Sequence, residues 1–131
     1  MTQPAHVLLV DDQPKGLDSL DLRLKRSGYR TSLAQNGELA LQSAKADPPD
    51  LVVLDVSMPE LNGYQTCREL QKLRPDLPVI IYTGKTDPAD RFWASECGAD
   101  EFLIKPADPA VVLQKITQLL ANLGFGFGQG T

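Results

Sequence analysis

Three continuous apolar runs constrain this chain more than any other feature: Val7-Leu8-Leu9-Val10, Leu51-Val52-Val53-Leu54 and Val79-Ile80-Ile81-Tyr82. A strand with one wet face alternates apolar and polar residues, whereas these runs do not alternate. They read as short strands buried on both faces, which is the environment of a parallel sheet covered by helices above and below. Each run also stops abruptly. The first ends on Asp11-Asp12, the second on Asp55 and the third on Thr83-Gly84.

The segments between the runs have helical spacing. Leu17, Leu20 and Leu24 recur along one face, Pro14 suits a first-turn position and Gly28 supplies a stop, so a helix is predicted over 14–27. Residues 29–33 form a more polar strand candidate, the profile of a sheet edge with less to bury. Asn36-Gly37 breaks it, and a short helix through Leu41 and Ala44 follows. Asp47-Pro48-Pro49 imposes an extended turn before the strand predicted over 51–55, because residues preceding proline avoid the helical region. Asn62 then caps a helix carrying Cys67, Leu70 and Leu73. After Tyr82, Asp87-Pro88 reads as a helix start with an acidic cap, and Gly98 as its end. Phe102-Leu103-Ile104 is a last short strand, and Asp108-Pro109 opens a final helix with Val112, Ile116, Leu119, Leu120 and Leu123 along one face. Parallel neighbours need crossovers, and right-handed ones dominate, so five strand-then-helix units predict a doubly wound α/β sheet. Residues 1–124 are expected to form one domain, with 125–131 a mobile Gly-rich tail.

Charge and composition exclude several classes. The formal net charge is −4 and the 13 basic residues are scattered singly or in pairs, so no basic stripe offers a surface for direct nucleic-acid contact. No apolar run approaches the roughly 20 residues that cross a bilayer, and the amino terminus lacks a charged region followed by a long apolar one. A cytoplasmic protein without membrane insertion is expected. Cys67 and Cys97 have neither a CxxC spacing nor a nearby His, so reduced, packed thiols are expected rather than metal ligands. His6, the sole histidine, precedes the first run and is expected to be solvated and non-catalytic.

Ligands of open α/β sheets bind beyond the carboxyl ends of the strands. There this sequence carries Asp11 and Asp12, then Asp55, Thr83 and Lys105. Carboxylates gathered in one crevice raise one another's proton affinity unless a cation intervenes. Oxygen ligands without His or Cys suit a hard divalent ion, and Mg²⁺ uses one or two carboxylates while keeping positions for water and phosphate oxygens. A carboxylate can act as the nucleophile in phosphoryl transfer when metal and cationic groups absorb the charge on the transferring group. Asp55, on a central strand, suits that role, with Asp11 and Asp12 as metal ligands, Lys105 as a point charge and Thr83 as a hydroxyl donor.

These residues resemble the receiver domain of two-component response regulators over almost the whole chain. The resemblance rests on Leu8-Leu9-Val10-Asp11-Asp12, on Leu54-Asp55-Val56-Ser57-Met58-Pro59-Glu60-Leu61-Asn62-Gly63, on Tyr82-Thr83-Gly84 and on Gly98-Ala99-Asp100-Glu101-Phe102-Leu103-Ile104-Lys105-Pro106. It implies a flavodoxin-like (βα)5 fold with strand order 2-1-3-4-5, and a receiver domain spanning 1–124. It also implies that Asp55 accepts a phosphoryl group from a sensor histidine kinase or a histidine phosphotransfer protein. Mg²⁺ would lie among Asp11, Asp12, Asp55 and the Ser57 backbone carbonyl. Thr83 and Lys105 would engage the phosphoryl group, the bond before Pro106 would be cis, and Phe102, where the family commonly has Tyr, would move inward as Thr83 moves. That motion remodels the face of helix four, strand five and helix five, through which a downstream protein target is regulated.

Ser57 and Lys85, two residues after Asp55 and Thr83, flank the path of an attacking water and are expected to modulate hydrolysis. Phe92 and Trp93 point about 100° apart on a helix, so one is expected to pack inward and the other to border the partner face. The chain is expected to act as a single-domain module, as a monomer or a phosphorylation-dependent dimer, and to catalyse only its own aspartyl phosphorylation and dephosphorylation. A phosphatase with an acidic nucleophile would need a second acid at position 57 and a cap insertion. A flavin-binding protein would want hydroxyl- and Gly-rich phosphate loops where Asp11-Asp12 stands.

Overall fold

The computed structural model describes residues 4–13, 17–56, 63–84 and 88–124, apart from the side chain of Arg91. Ser57, Asn62, Lys85 and the tail 125–131, each singled out above, lie outside the described residues. The elements alternate in order: β1 (His6–Val10), α1 (Asp18–Arg26), β2 (Arg30–Ala34), α2 (Gly37–Ala46), β3 (Leu51–Leu54), α3 (Gly63–Leu73), β4 (Val79–Thr83), α4 (Pro88–Glu96), β5 (Glu101–Ile104) and α5 (Pro109–Asn122). The strands form one parallel sheet in the order β2-β1-β3-β4-β5, the doubly wound arrangement that unbroken apolar runs and helix-length crossovers demand.

Alternation along each strand divides the interior into two cores. Leu8, Val10, Val52, Leu54, Val79 and Ile81 face one side, where Ala40 and Ala44 of α2, Cys67 and Leu70 of α3, and Ala94 of α4 cover them. Val7, Leu9, Leu51, Val53, Ile80 and Tyr82 face the other, covered by Leu20 and Leu24 of α1 and by Val112, Ile116 and Leu120 of α5. Every residue of β1, β3 and β4 is buried, whereas the edge strand β2 leaves Arg30 and Leu33 exposed.

Helix ends follow local chemistry. Gly28, at φ 91°, turns the chain out of α1 into β2, a conformation that costs an L side chain energy but not glycine. Asp108 accepts from Ala110 N and is followed by Pro109 in the first turn of α5. Asn36 caps α2 by accepting from Leu39 N at 2.8 Å. Asn36→Ala is expected to cost about 1 kcal/mol, read as a lower thermal midpoint with an unchanged spectrum.

His6 departs from the solvated position expected for it. It is the first residue of β1, 1% exposed, and the β2 edge and the turn before β3 close over it. Its Nε2 lies 2.7 Å from Ser32 Oγ, its Nδ1 3.4 Å from the Pro48 carbonyl, and its backbone N–H donates to Asp50 Oδ2 at 2.7 Å. Burial is compatible with a polar ring because each ring nitrogen has a partner.

Candidate functional site

The sheet register brings the strand ends together. Val10 pairs with Ala34 on one side and Leu54 on the other, Leu54 pairs with Ile81, and Thr83 pairs with Ile104. The next residues therefore emerge side by side: Asp11 N donates to Ala34 O and Asp55 N donates to Val10 O, both at 3.0 Å. Lys105 N donates to Thr83 O at 2.8 Å, which extends the same edge. The peptide bond between Lys105 and Pro106 is cis.

One ammonium joins two of the acids. Lys105 Nζ donates to Asp11 Oδ2 at 2.5 Å and to Asp55 Oδ2 at 3.4 Å. Asp11 and Asp55 are only 2% and 5% exposed, while Asp12 is exposed at the rim. Each of the three carboxylates offers an oxygen, and these oxygens lie within 4.8 Å of one another. Thr83 is fully buried at the end of β4, and Phe102 is half-buried against the core that holds Leu54 and Ile81.

Burial dominates the electrostatics. It pushes the Asp11 carboxyl above its ordinary range and the charge of Asp55 adds to the rise, against hydrogen bonds from Lys105 and from the Gln13 amide. Burial alone would lower Lys105, but the hydrogen bond to Asp11 and the charges of Asp55 and Asp11 outweigh it and hold the ammonium above its usual range. A raised acid holds its proton more firmly folded than unfolded, so ionised Asp11 costs stability once the pH has risen through its raised value. A raised lysine contributes stability that persists through neutral pH and is lost as the pH rises through its own value.

The two groups therefore have opposite effects at pH 7 without divalent ions. Asp11→Asn is expected to stabilise the fold by about 1 kcal/mol. Lys105→Met is expected to destabilise it by about 1–3 kcal/mol, because two buried carboxylates lose their shared cation. Urea unfolding of both variants checks the signs, and a loss of stability in Asp11→Asn would contradict this account.

The donor set fits a hard divalent cation. It is oxygen-only, incomplete, close-set, and carries more negative charge than Lys105 alone neutralises.

Two features near the site are not evident from residue spacing. Tyr82, which reads as the last member of an apolar run, has its ring 5.4 Å below Lys105 Nζ and its hydroxyl 3.4 Å from both the backbone N and O of Ala107. It thus braces the turn that carries Lys105. The other concerns Phe92 and Trp93. The expected inward packing of one of them does not occur, since they are 57% and 46% exposed. Their rings stack edge-on, with centroids 5.3 Å apart at 78°. The inner face of α4 is instead Asp90 and Ala94, continued by Cys97, and Asp90 is held there by the Tyr64 hydroxyl at 3.0 Å.

A parallel five-stranded sheet with an acid cluster and a lysine at its carboxyl ends defines a flavodoxin-like α/β protein with an acidic pocket of a composition that fits a cation. The response regulator receiver domain family matches residues 7–117, and the chain belongs to that family of two-component signalling modules.

Among curated proteins it is 36% identical over 114 residues to the alkaline phosphatase synthesis transcriptional regulatory protein PhoP of Bacillus subtilis, covering 87% of this chain and 48% of that one. It is 37% identical over 120 residues to Protein PilH of Pseudomonas aeruginosa, covering 90% of this chain and 99% of the relative. The chain spans about half the length of several curated relatives it matches, PhoP among them. A CheY-like response regulator receiver domain protein from Methanospirillum hungatei JF-1 has a similar structure, with a TM-score of 0.87 and 28% identity over 91% of this chain and 95% of that one.

Proposed function

We propose that this chain is a phosphorylation-controlled signalling module in which Asp55 accepts a phosphoryl group from the phosphohistidine of a sensor histidine kinase or a histidine phosphotransfer protein. The observation that carries the reading is the pairing of two buried strand-end carboxylates, Asp11 and Asp55, on one ammonium, with Asp12 close enough to complete an oxygen-lined pocket. Asp11, Asp12 and Asp55, with the Ser57 carbonyl, would hold Mg²⁺, which supplies positive charge against the oxygens of the transferring group.

The chain's own groups do the remaining work. An Asp55 oxygen attacks phosphorus in line with the departing imidazole nitrogen; the new P–O bond replaces the P–N bond and the histidine leaves neutral after protonation. Lys105 is already tethered between Asp11 and Asp55, so it needs only a small shift to pair with a phosphoryl oxygen. The Thr83 hydroxyl donates to another oxygen, and Phe102 follows it inward.

The consequence appears on the face formed by α4, β5 and α5, where Phe92 and Trp93 offer exposed aromatic surface to a downstream protein target. Ser57 and Lys85 adjust how readily water reaches the aspartyl phosphate, and the acyl phosphate's formation and loss are the only chemistry the chain catalyses. Residence in the cytoplasm and action as a monomer or phosphorylation-dependent dimer complete the reading. Among the described residues no helix is long and apolar enough to cross a membrane.

Incubation with acetyl phosphate and Mg²⁺, followed by intact mass measurement, tests the proposal. One labile phosphate adduct that requires the divalent ion is expected. Steady turnover of free phosphoesters without an adduct would point to a phosphatase instead.

A further inference from the structure

A second concave site lies at the opposite end of the sheet from Asp55. Between the last turns of α2 and α3, where the chain enters β3 and β4, Leu70, Leu73, Leu77 and the Pro48-Pro49 turn enclose a cavity of about 320 Å³. Leu70 and Leu77 are buried and Leu73 is 48% exposed, so the walls are apolar from base to rim. Two cations also line it, Lys45 and Arg74. Lys45 is exposed and has no ion-pair partner among the described residues.

Arg74 is the informative residue. Its Nη1 donates to the Pro49 carbonyl at 2.7 Å, which anchors the guanidinium against the turn. Its Nε is buried and makes no hydrogen bond, the one such side-chain atom among the described residues. A carboxylate oxygen, Asp76 Oδ1, stands 3.5 Å from it, on a side chain 77% exposed to solvent. A buried N–H without an acceptor costs free energy comparable to a lost hydrogen bond, so an oxygen that reaches it gains more than it would in open water. The edge of a guanidinium formed by Nε and Nη2 is a fork that matches the two oxygens of a carboxylate, and anchoring Nη1 leaves that edge presented.

We propose that this cavity binds a small apolar carboxylate, an aliphatic or aryl acid whose body packs on Leu70, Leu73 and Leu77 while its head group takes the open edge of Arg74 and Lys45 adds charge at the rim. A cavity near the lower limit for small-molecule pockets suits a short acid of about eight carbons. Charge decides the occupant. A neutral apolar molecule would leave Arg74 Nε unsatisfied, and an amine would face two cations. Asp76 is the built-in competitor, and its exposure lets it swing aside into solvent. The site uses neither Asp55 nor any other residue of the acidic pocket, so it stands whether or not Asp55 accepts a phosphoryl group.

Octanoate is the probe, titrated into the full, isotopically labelled chain and followed by NMR at backbone amides and at arginine Nε–H groups. Saturable shifts are expected at the Lys45, Leu73 and Leu77 amides and at Arg74 Nε–H, while the Asp11 and Asp55 amides stay in place. Octanol should bind at least about tenfold more weakly, the loss expected when a charge-assisted hydrogen bond is removed, and octylamine should not saturate. Arg74→Lys keeps the charge but not the fork and should weaken octanoate by about tenfold as well. Asp76→Asn, at an exposed position, decides the matter if that variant folds poorly: it removes the competing charge and should tighten octanoate about two- to fivefold. Octanoate shifts that fail to saturate or scatter over the surface, octanol or octylamine binding as tightly as octanoate, a folded Arg74→Lys protein with undiminished affinity, or an Asp76→Asn protein with unchanged or weaker affinity would each overturn the proposal.

Discussion

Asp55→Asn is expected to eliminate the Mg²⁺-dependent phosphate adduct, with modification by acetyl phosphate falling at least about a hundredfold, to the detection limit of intact mass. An amide oxygen is a far weaker nucleophile than a carboxylate oxygen. The neighbouring acids do not substitute: Asp11 is occupied by Lys105 at 2.5 Å and by the Gln13 amide at 2.9 Å, and Asp12 stands at the rim. Misfolding would give the same loss, so stability has to be read in parallel. The charge of Asp55 is one of the causes that raise Asp11, and the amide removes it. The same substitution also removes one of the charges that hold Lys105, so the two effects oppose each other and Asp55→Asn is expected to unfold in urea within about 1 kcal/mol of the wild type. A variant as stable as the wild type that still takes up phosphate would move the acceptor to another residue.

Much of this site follows from where apolar runs stop. Asp11, Asp55, Thr83 and Lys105 are recognisable because each terminates or follows a short strand, and parallel strands in register deliver their ends to one edge. The polar character of 29–33 likewise anticipates the edge position of β2.

What could not be read were side chains whose environment is made by distant segments. His6 looks like a solvated residue before a strand. It is buried because Ser32 and the turn at Pro48 come from elsewhere in the chain to satisfy both ring nitrogens. Asp90 looks like a solvent-facing acid in a first turn, and Phe92 and Trp93 look like competitors for the core. The Tyr64 hydroxyl reverses that order: by bonding Asp90 it lets the acid take the inner face, and the aromatic pair is left outside, stacked on itself. Hydrophobicity ranks residues one at a time, whereas a buried hydrogen bond depends on a partner, here 26 residues away.

Gly63→Ala is expected to be strongly damaging, costing about 2–4 kcal/mol, or roughly 10 °C in thermal midpoint for a domain of this size. Gly63 opens α3 directly beside Val56, the residue that follows Asp55. A Cβ built there would stand 2.3 Å from Val56 Cα and 2.8 Å from Val56 Cβ, well inside van der Waals contact. A clash with the tip of a side chain can relax by rotation, but a clash with a Cα cannot. Either α3 must withdraw from the sheet or the chain after β3 must move, and the second course displaces Asp55 itself. Alanine has the higher helix propensity, so at an unhindered helical position the same change would stabilise by up to about 1 kcal/mol. The sign therefore separates close approach from conformational preference. Differential scanning calorimetry gives that sign, and the acetyl phosphate adduct measured well below the midpoint reports whether the displacement reaches Asp55. A Gly63→Ala protein with an unchanged or raised midpoint would mean that the contact between Val56 and the start of α3 is looser than this geometry requires.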